Sequence, residues 1–366
     1  MDRTASPGLK WSELICLIAP SCNNLISGGY LFNSRIASVL KDRADFRYVV
    51  EPPDRVAGAA CRACRDADRA VIVVDSLFIG HFKAMARLRS ALPSCRLVLL
   101  AHFLPSLDPL LDPARRAVWR RREARVLHGV GGCCVPSLFL RRVLEGRGVP
   151  AAAVAVCRPG VDRRLLECPP PAGRAVLPDH PLRILTVANW IPAKGLMWLL
   201  GVLEGLEACR WEWDLVGHEQ ADRKYGRRFR RALEKSPVSK RIRVHGVKCP
   251  AEVGEMLREA DLFALPSLTE SYGMVFAEAE AAGVPVIANR VGGVPEIVAH
   301  GETGYLCRPR DRREWSIALR GLLTSAETRR SMRAAALAGR SALRSWEETA
   351  AEFHECMCSL VPGGRP

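Results

Sequence analysis

Along the chain, short runs of apolar and β-branched residues alternate with stretches whose apolar positions recur at helical spacing. In the first half the strand-like runs are Leu14–Ala19, Tyr48–Glu51, Ala70–Asp75, Arg96–Ala101 and Ala153–Cys157. Helical patterns such as Tyr30–Lys41 and Phe78–Ala91 fall between them. Strands that are apolar almost throughout, each followed by a helix, predict a parallel sheet covered on both faces. The rhythm stops at 167–181, where Pro169, Pro170, Pro171, Gly173, Pro178 and Pro181 leave little apolar content. That is the composition of a linker. It restarts with Leu182–Ala188, Trp213–Val216, Ile242–His245, Asp261–Leu265 and Pro285–Ala288. The pattern predicts two α/β domains, 1–166 and 182–345, facing across a cleft. A last helical pattern, Trp346–Leu360, gathers Trp346, Ala350, Phe353 and Met357 on one side. That stripe suits packing back on the first domain or docking a partner.

A chain of 366 residues has room for two cores. Its 48% hydrophobic and 25% charged residues are those of a globular protein. No apolar run reaches the roughly 18–20 residues of a membrane-spanning helix. Met1–Lys10 lacks the basic-then-apolar pattern of a secretion signal, so a cytoplasmic enzyme is expected. Fourteen cysteines, among them Cys16, Cys95, Cys157 and Cys209 in apolar segments, then read as reduced core residues. Cys61-Arg-Ala-Cys64 has no second pair at zinc spacing, which argues against a metal or redox role. The net charge of +15 changes the picture more, because it implies an anionic ligand, nucleic acid or an acidic membrane surface. Aromatic residues total 6% and do not interleave with the basic runs, so nucleic acid is not the expected partner.

The chemistry concentrates in the second domain. Asp261–Pro266 reads as a buried strand and Met274–Ala282 as the helix after it. The turn between them, Ser267–Gly273, falls at the strand's C-terminal end, the ligand-binding edge of an open α/β sheet. The free N–H groups where the helix begins suit a phosphate. Glu270 lies in the turn and Glu278 on the helix. Carboxylates flanking an anion site suit hydroxyl donors, since an ionised carboxylate can clasp a vicinal diol. An anion with hydroxyl groups on both sides describes a nucleotide diphosphate sugar. Neighbouring Glu280 reads as an ordinary solvated glutamate.

The segment Glu270-Ser-Tyr-Gly-Met-Val-Phe-Ala-Glu278 resembles the EX7E motif of the family 4 retaining glycosyltransferases. Ser27-Gly-Gly-Tyr30 is similar to that family's glycine loop, Cys134-Val-Pro-Ser137 to its "vxxS" segment, and Arg158-Pro-Gly-Val-Asp162 to "PNGVD". Val187-Ala-Asn-Trp-Ile-Pro-Ala-Lys-Gly195 resembles "VGRLxPxKG", and Gly292-Gly-Val-Pro-Glu296 resembles "GGxPE". The resemblance runs over roughly 14–360 and implies the GT-B fold, two Rossmann-like domains. It also implies metal-independent hexosyl transfer from a nucleotide sugar, with retention and without a cofactor.

By that resemblance Glu270 contacts the donor sugar and Glu278 the ribose hydroxyls. Backbone amides around Ser271, Tyr272 and Gly273 meet the diphosphate, as Gly28 and Gly29 do from the first domain. Lys194 neutralises the leaving diphosphate, and His102, after the strand Arg96–Ala101, stands near the sugar. One departure is Asn189 where the family has arginine, which removes a positive charge; Arg290 is a candidate replacement. The family's "GxGP" is also altered, to Gly217-His-Glu-Gln220. Asp66-Ala-Asp68 is formally a DxD but lies in a helical stretch before a strand, so it reads as a solvated face.

Two arginine runs remain. Pro113–Leu127 predicts a helix with Ala114, Val118, Trp119 and Val126 on one side and Arg115, Arg116, Arg120–Arg122 and Arg125 elsewhere. It suits an anionic acceptor or the inner face of an anionic membrane, or a merely solvated helix. Lys224, Arg227, Arg228, Arg230 and Arg231 form a second cluster. The acceptor class expected is a carbohydrate or lipid-linked sugar. The alternatives are a non-catalytic nucleotide-sugar binder, raised by Asn189, and a GT-B epimerase.

Overall fold

A computed structural model describes residues 14–21, 27–65, 67, 69–167 and 180–360. The apolar runs form two six-stranded sheets, every pairing parallel. The first contains β1 (Leu14–Pro20), β2 (Phe46–Glu51), β3 (Ala70–Asp75), β4 (Arg96–Leu100), β5 (Gly132–Val135) and β6 (Val154–Val156) in the order β2-β1-β3-β4-β5-β6. The second contains β7 (Leu182–Val187), β8 (Trp211–Val216), β9 (Ile242–Gly246), β10 (Leu262–Leu265), β11 (Val286–Asn289) and β12 (Gly304–Cys307). Its order, β9-β8-β7-β10-β11-β12, is doubly wound, with the direction reversing between β7 and β10. In the first sheet the reversal lies between β1 and β3. A crevice opens at each reversal because the flanking helices leave on opposite faces.

The strands β3 and β10 are buried along their whole length, which is why they read as continuous apolar runs. Two strands escaped the pattern. Gly132–Val135 and Gly304–Cys307 have four residues each and begin on glycine, too short and too weakly apolar to stand out. The helix expected over Phe78–Ala91 is two pieces, a 3-10 segment Ser76–Gly80 and a helix Phe82–Ala91. The Asp75 carboxylate caps the first piece by accepting the Leu77 N–H, which starts the turn early.

Trp190, Trp211, Trp213 and Trp315 are fully buried in the second domain's core. The last helix, Trp346–Ser359, lies on the first domain: Trp346, Ala350, Phe353 and Met357 pack with Phe32, Ile36 and Leu40. Each of the larger of these side chains contributes about 1.5–3 kcal/mol by leaving water. The chain thus crosses between domains twice, and the crossings touch. The Val161 N–H donates to Arg344 O at 2.7 Å, and a Cβ on Gly160 would lie 2.6 Å from Ser345 O. No helix among the described residues is long and apolar enough to cross a membrane.

Of the cysteines named from sequence, Cys16 and Cys157 are buried while Cys95 and Cys209 are only half-buried. Asp66 and Asp68 lie outside the described residues, as does most of the proline-rich segment.

Candidate active site between the two sheets

All strands in a sheet run the same way, so the turns after β1, β3 and β4 share one edge, and those after β7, β8, β10 and β11 share another. Gly28, Gly29, His102, Asn189, Lys194, Glu270, Ser271, Tyr272, Gly273 and Glu278, the candidate site residues, each lie in one of these turns or on the helix that follows.

Lys194 ends a 3-10 turn, Pro192–Lys194, between β7 and the helix Leu196–Glu204. Gly195 follows at φ 69°, and a Cβ there would sit 2.5 Å from Pro266 O. Only glycine lets the turn press so closely on the end of β10. The Leu268 N–H closes the contact by donating to Ala193 O at 2.7 Å. As a result Lys194 Nζ donates to Glu270 Oε1 at 2.6 Å, with the two side chains 24% and 12% exposed. Beneath them the Asn289 side chain, 1% exposed, donates to Pro266 O and Ser267 O. The strand end is therefore held from below while the ion pair faces the crevice.

Gly273, at φ 100°, caps the helix Met274–Ala281. The N–H groups of Ser271, Tyr272 and Gly273 meet no acceptor among the described residues. The Tyr272 side chain is buried, and that burial pushes its phenol up to about 12, so only its backbone faces the crevice. Opposite stands the start of the helix Gly28–Leu40: a Cβ on Gly28 would lie 3.5 Å from Met274 Sδ. Two helix N-termini, each carrying partial positive charge, thus converge.

A Cβ on Gly29 would lie 3.0 Å from the His102 ring, which fixes where that ring sits. His102 Nε2 is 3.0 Å from Asn33 Oδ1, and Asn33 Nδ2 donates to Asp75 Oδ2 at 2.5 Å. Asp75 presents only acceptors to the amide, so the Asn33 nitrogen faces it and the amide oxygen faces His102. That network assigns the proton of His102 to Nε2. Burial holds the imidazole below its ordinary value, with Asp75 opposing, so it is neutral at pH 7. Asn33 and Asp75 were not read as site residues. Their signals were a polar residue on an apolar helix face and an acid closing an apolar strand.

Glu278 is half-buried and faces the first domain. Burial raises its carboxyl to about 7; Arg35 opposes and Asp162 adds to the effect. Arg35 and Asp162 pair with each other at 3.5 Å, so the seam holds an ion pair beside the Glu278 carboxyl. Glu280 is not the solvated residue expected. It is 5% exposed, accepts the Thr303 hydroxyl at 2.5 Å, and is likewise raised to about 7 by burial. Helical spacing could not separate the two, since both faces of this helix are covered.

The Asn189 amide oxygen accepts the His218 N–H at 3.2 Å, and the Trp190 N–H donates to His218 O at 3.1 Å. Asn189 thus ties the turn after β7 to the altered turn after β8, where Gly217 at φ 144° leaves no room for a Cβ beside Ala188 O. Arg290 is exposed and reaches Leu306 O on β12, the edge strand, rather than the crevice. Its position in the sequence, just past β11, could not show which way it turns.

The arginine-rich helix spans Pro113–Gly129, and its inner face differs from the one expected. Ala114 and Val118 are exposed, while Glu123 is fully buried with Val126. Glu123 accepts Ser106 N–H at 2.8 Å and pairs with Arg147, so an ionic contact replaces apolar packing there. Arg115, Arg120, Arg121 and Arg125 face outward. In the second cluster Arg230 pairs with Glu219 and lies over the Trp190 ring, while Arg227, Arg228 and Arg231 are exposed.

Residues 181–325 match the family described as Glycosyl transferases group 1. A D-inositol 3-phosphate glycosyltransferase of Corynebacterium glutamicum is 43% identical over 125 residues, which cover 34% of this chain and 30% of that protein. The chain therefore matches less than a third of such relatives' length. A sucrose-phosphate synthase from Thermosynechococcus elongatus superposes with a TM-score of 0.79 at 18% identity, over 94% of this chain and 98% of that one. HepE of Anabaena, solved in complex with UDP and glucose, gives 0.73 at 17% identity over 94% and 98%. The fold is GT-B.

Proposed function

We propose that this chain, a GT-B protein whose second domain is a glycosyl transferases group 1 domain, transfers a hexosyl unit from a nucleotide diphosphate sugar. The proposal includes retention of anomeric configuration, no metal requirement and an anionic or lipid-linked carbohydrate acceptor. The observation that carries it is the Lys194–Glu270 pair, set where two helix N-termini converge, with Glu278 on the same helix. The unbonded N–H groups and Lys194 take the diphosphate, and Glu278 accepts the ribose hydroxyls. When the donor binds, Lys194 exchanges part of its contact with Glu270 for phosphate oxygen, freeing that carboxylate for the sugar hydroxyls. The bond from the anomeric carbon to the diphosphate oxygen then breaks. The acceptor oxygen bonds to that carbon from the same face, and its proton leaves with the diphosphate. Lys194 and the helix ends stabilise the charge as it develops. His102, neutral and aimed by Asn33, offers a hydrogen-bonding partner for the sugar.

UDP-glucose is the first probe, because HepE was solved with UDP and glucose. Inositol phosphate is the first acceptor to try, given the matching relatives. The outward arginines of Pro113–Gly129 support an anionic acceptor or a peripheral hold on an anionic surface. The test is thermal stabilisation by UDP, GDP and ADP and their sugars, beside Glu278→Ala, followed by NMR of the product anomer. Stabilisation by one nucleotide series, weakened in the variant, is expected. None by any series in folded protein would sink the proposal. A second reading, a binder without catalysis, draws on Asn189, whose amide oxygen is bound to His218 where the family's arginine charge is absent. It predicts binding without nucleotide release. An epimerase would convert the donor with no acceptor present.

A further inference from the structure

Two segments of the sequence that carried no chemical role, Cys134–Ser137 in the first domain and Gly292–Glu296 in the second, meet across the cleft. Ser137 caps the helix Leu138–Glu145, accepting the Leu140 N–H at 3.1 Å. Its hydroxyl donates to Ser271 O at 2.6 Å, in the other domain. Glu296 answers in the opposite direction. Its carboxylate accepts the Leu138 N–H at 2.9 Å and the Phe139 N–H at 2.6 Å, closing the open end of that helix, and Arg142 stands 3.9 Å away. Its side chain is only 12% exposed. A charged acceptor on two helix-terminal donors is among the stronger contacts a protein makes.

The same loop holds the turn that carries the unbonded N–H groups. Gly293 N–H donates to Glu270 O at 3.1 Å. A Cβ on Gly292 would lie 1.7 Å from Glu270 O, and one on Gly293 2.6 Å from Ser271 O, so glycines alone allow this approach. In a trans peptide the carbonyl and the following N–H point in opposite directions. With the carbonyls of Glu270 and Ser271 both tied back, the N–H groups of Ser271 and Tyr272 are fixed facing away from the ties.

We infer that Glu296 and Ser137 are positioning residues forming a clasp, which shuts the first domain on the second and by the same contacts aims two backbone donors at the diphosphate. The inference rests on the donor site proposed above. The clasp exists only in the closed arrangement, so its contribution falls on the transfer step and little on first capture of the nucleotide by the second domain.

The test measures UDP release from UDP-glucose, UDP affinity by calorimetry, and radius of gyration in solution with UDP bound. Glu296→Ala is expected to lower kcat about 10- to 100-fold, the range for lost hydrogen bonds to a charged group. UDP affinity falls much less than kcat, because the Gly293 N–H still ties the Glu270 carbonyl when the carboxylate is gone. Glu296→Gln, which keeps one acceptor, recovers part of the rate. Ser137→Thr keeps the hydroxyl and retains most of it, whereas Ser137→Ala does not. The UDP-bound radius of gyration rises in Glu296→Ala. Unchanged kcat and radius in Glu296→Ala would overturn the clasp, as would equal losses in the Ala and Gln variants with UDP affinity falling in step. Should UDP and UDP-glucose fail to bind wild type, the proposed function fails instead. The radii of the ligand-free proteins then still decide whether the clasp holds the domains.

Discussion

Glu278 offers a test in which pH does the perturbing. Its carboxyl is raised from 4.5 to about 7, burial being the main cause. From that value its ionised fraction is about one-tenth at pH 6, half at pH 7 and nine-tenths at pH 8. A ribose clasp needs the carboxylate as acceptor of both hydroxyl protons. Affinity for UDP-glucose, whose diphosphate stays ionised across this range, should therefore tighten about tenfold from pH 6 to pH 8. Because the hydroxyls favour the charged form, binding also releases roughly half a proton at pH 7. Calorimetry in buffers of different ionisation enthalpy reads both quantities. Glu278→Gln should show a flat profile and no proton release. Arg35→Ala removes the opposing charge and should move the wild-type profile to higher pH. A flat wild-type profile, or a glutamine variant that tracks wild type, would refute the reasoning. Ligand-free stability runs the other way. A raised carboxyl makes its stabilising contribution in full below 4.5 and loses it as pH rises through about 7.

Lys194→Ala should lower kcat by about 10²–10³ through lost charge at the leaving diphosphate, with Lys194→Arg recovering part, read as UDP release. Glu280 carries the same raised value, about 7, in a fully packed site. It should lose on the order of 3 kcal/mol of stabilisation between pH 4.5 and the range above 7. Glu280→Gln, still able to accept from Thr303, should therefore gain in Tm over wild type at pH 8 and not at pH 4.5; equal gains at both would contradict the assigned cause. Gly292→Ala places a Cβ against Glu270 O at a φ of 55°. It should cost about 1–3 kcal/mol for the backbone alone and weaken UDP binding, measured by thermal shift and calorimetry.

The apolar runs and their spacing determined that this chain folds as two parallel sheets covered by helices. A strand buried on both faces must be apolar throughout, and a covering helix must carry a stripe, so both leave a period in the sequence. The turn from Pro266 to Gly273 was legible for the same reason: a strand end, a glycine and a helix start must follow one another along the chain. Contacts between distant residues leave no such period. That Lys194 meets Glu270 depends on how far Gly195 lets one turn approach Pro266 O, and that Glu280 meets a buried partner depends on the turn before β12 bringing Thr303 to its helix. Asn33 and Asp75 joined His102 only because neighbouring strands and a helix bring them within hydrogen-bond reach. Glu296 and Ser137 are 159 positions apart and in different domains. Only the closing of one sheet edge on the other puts a carboxylate on a helix end, and no local pattern encodes that distance.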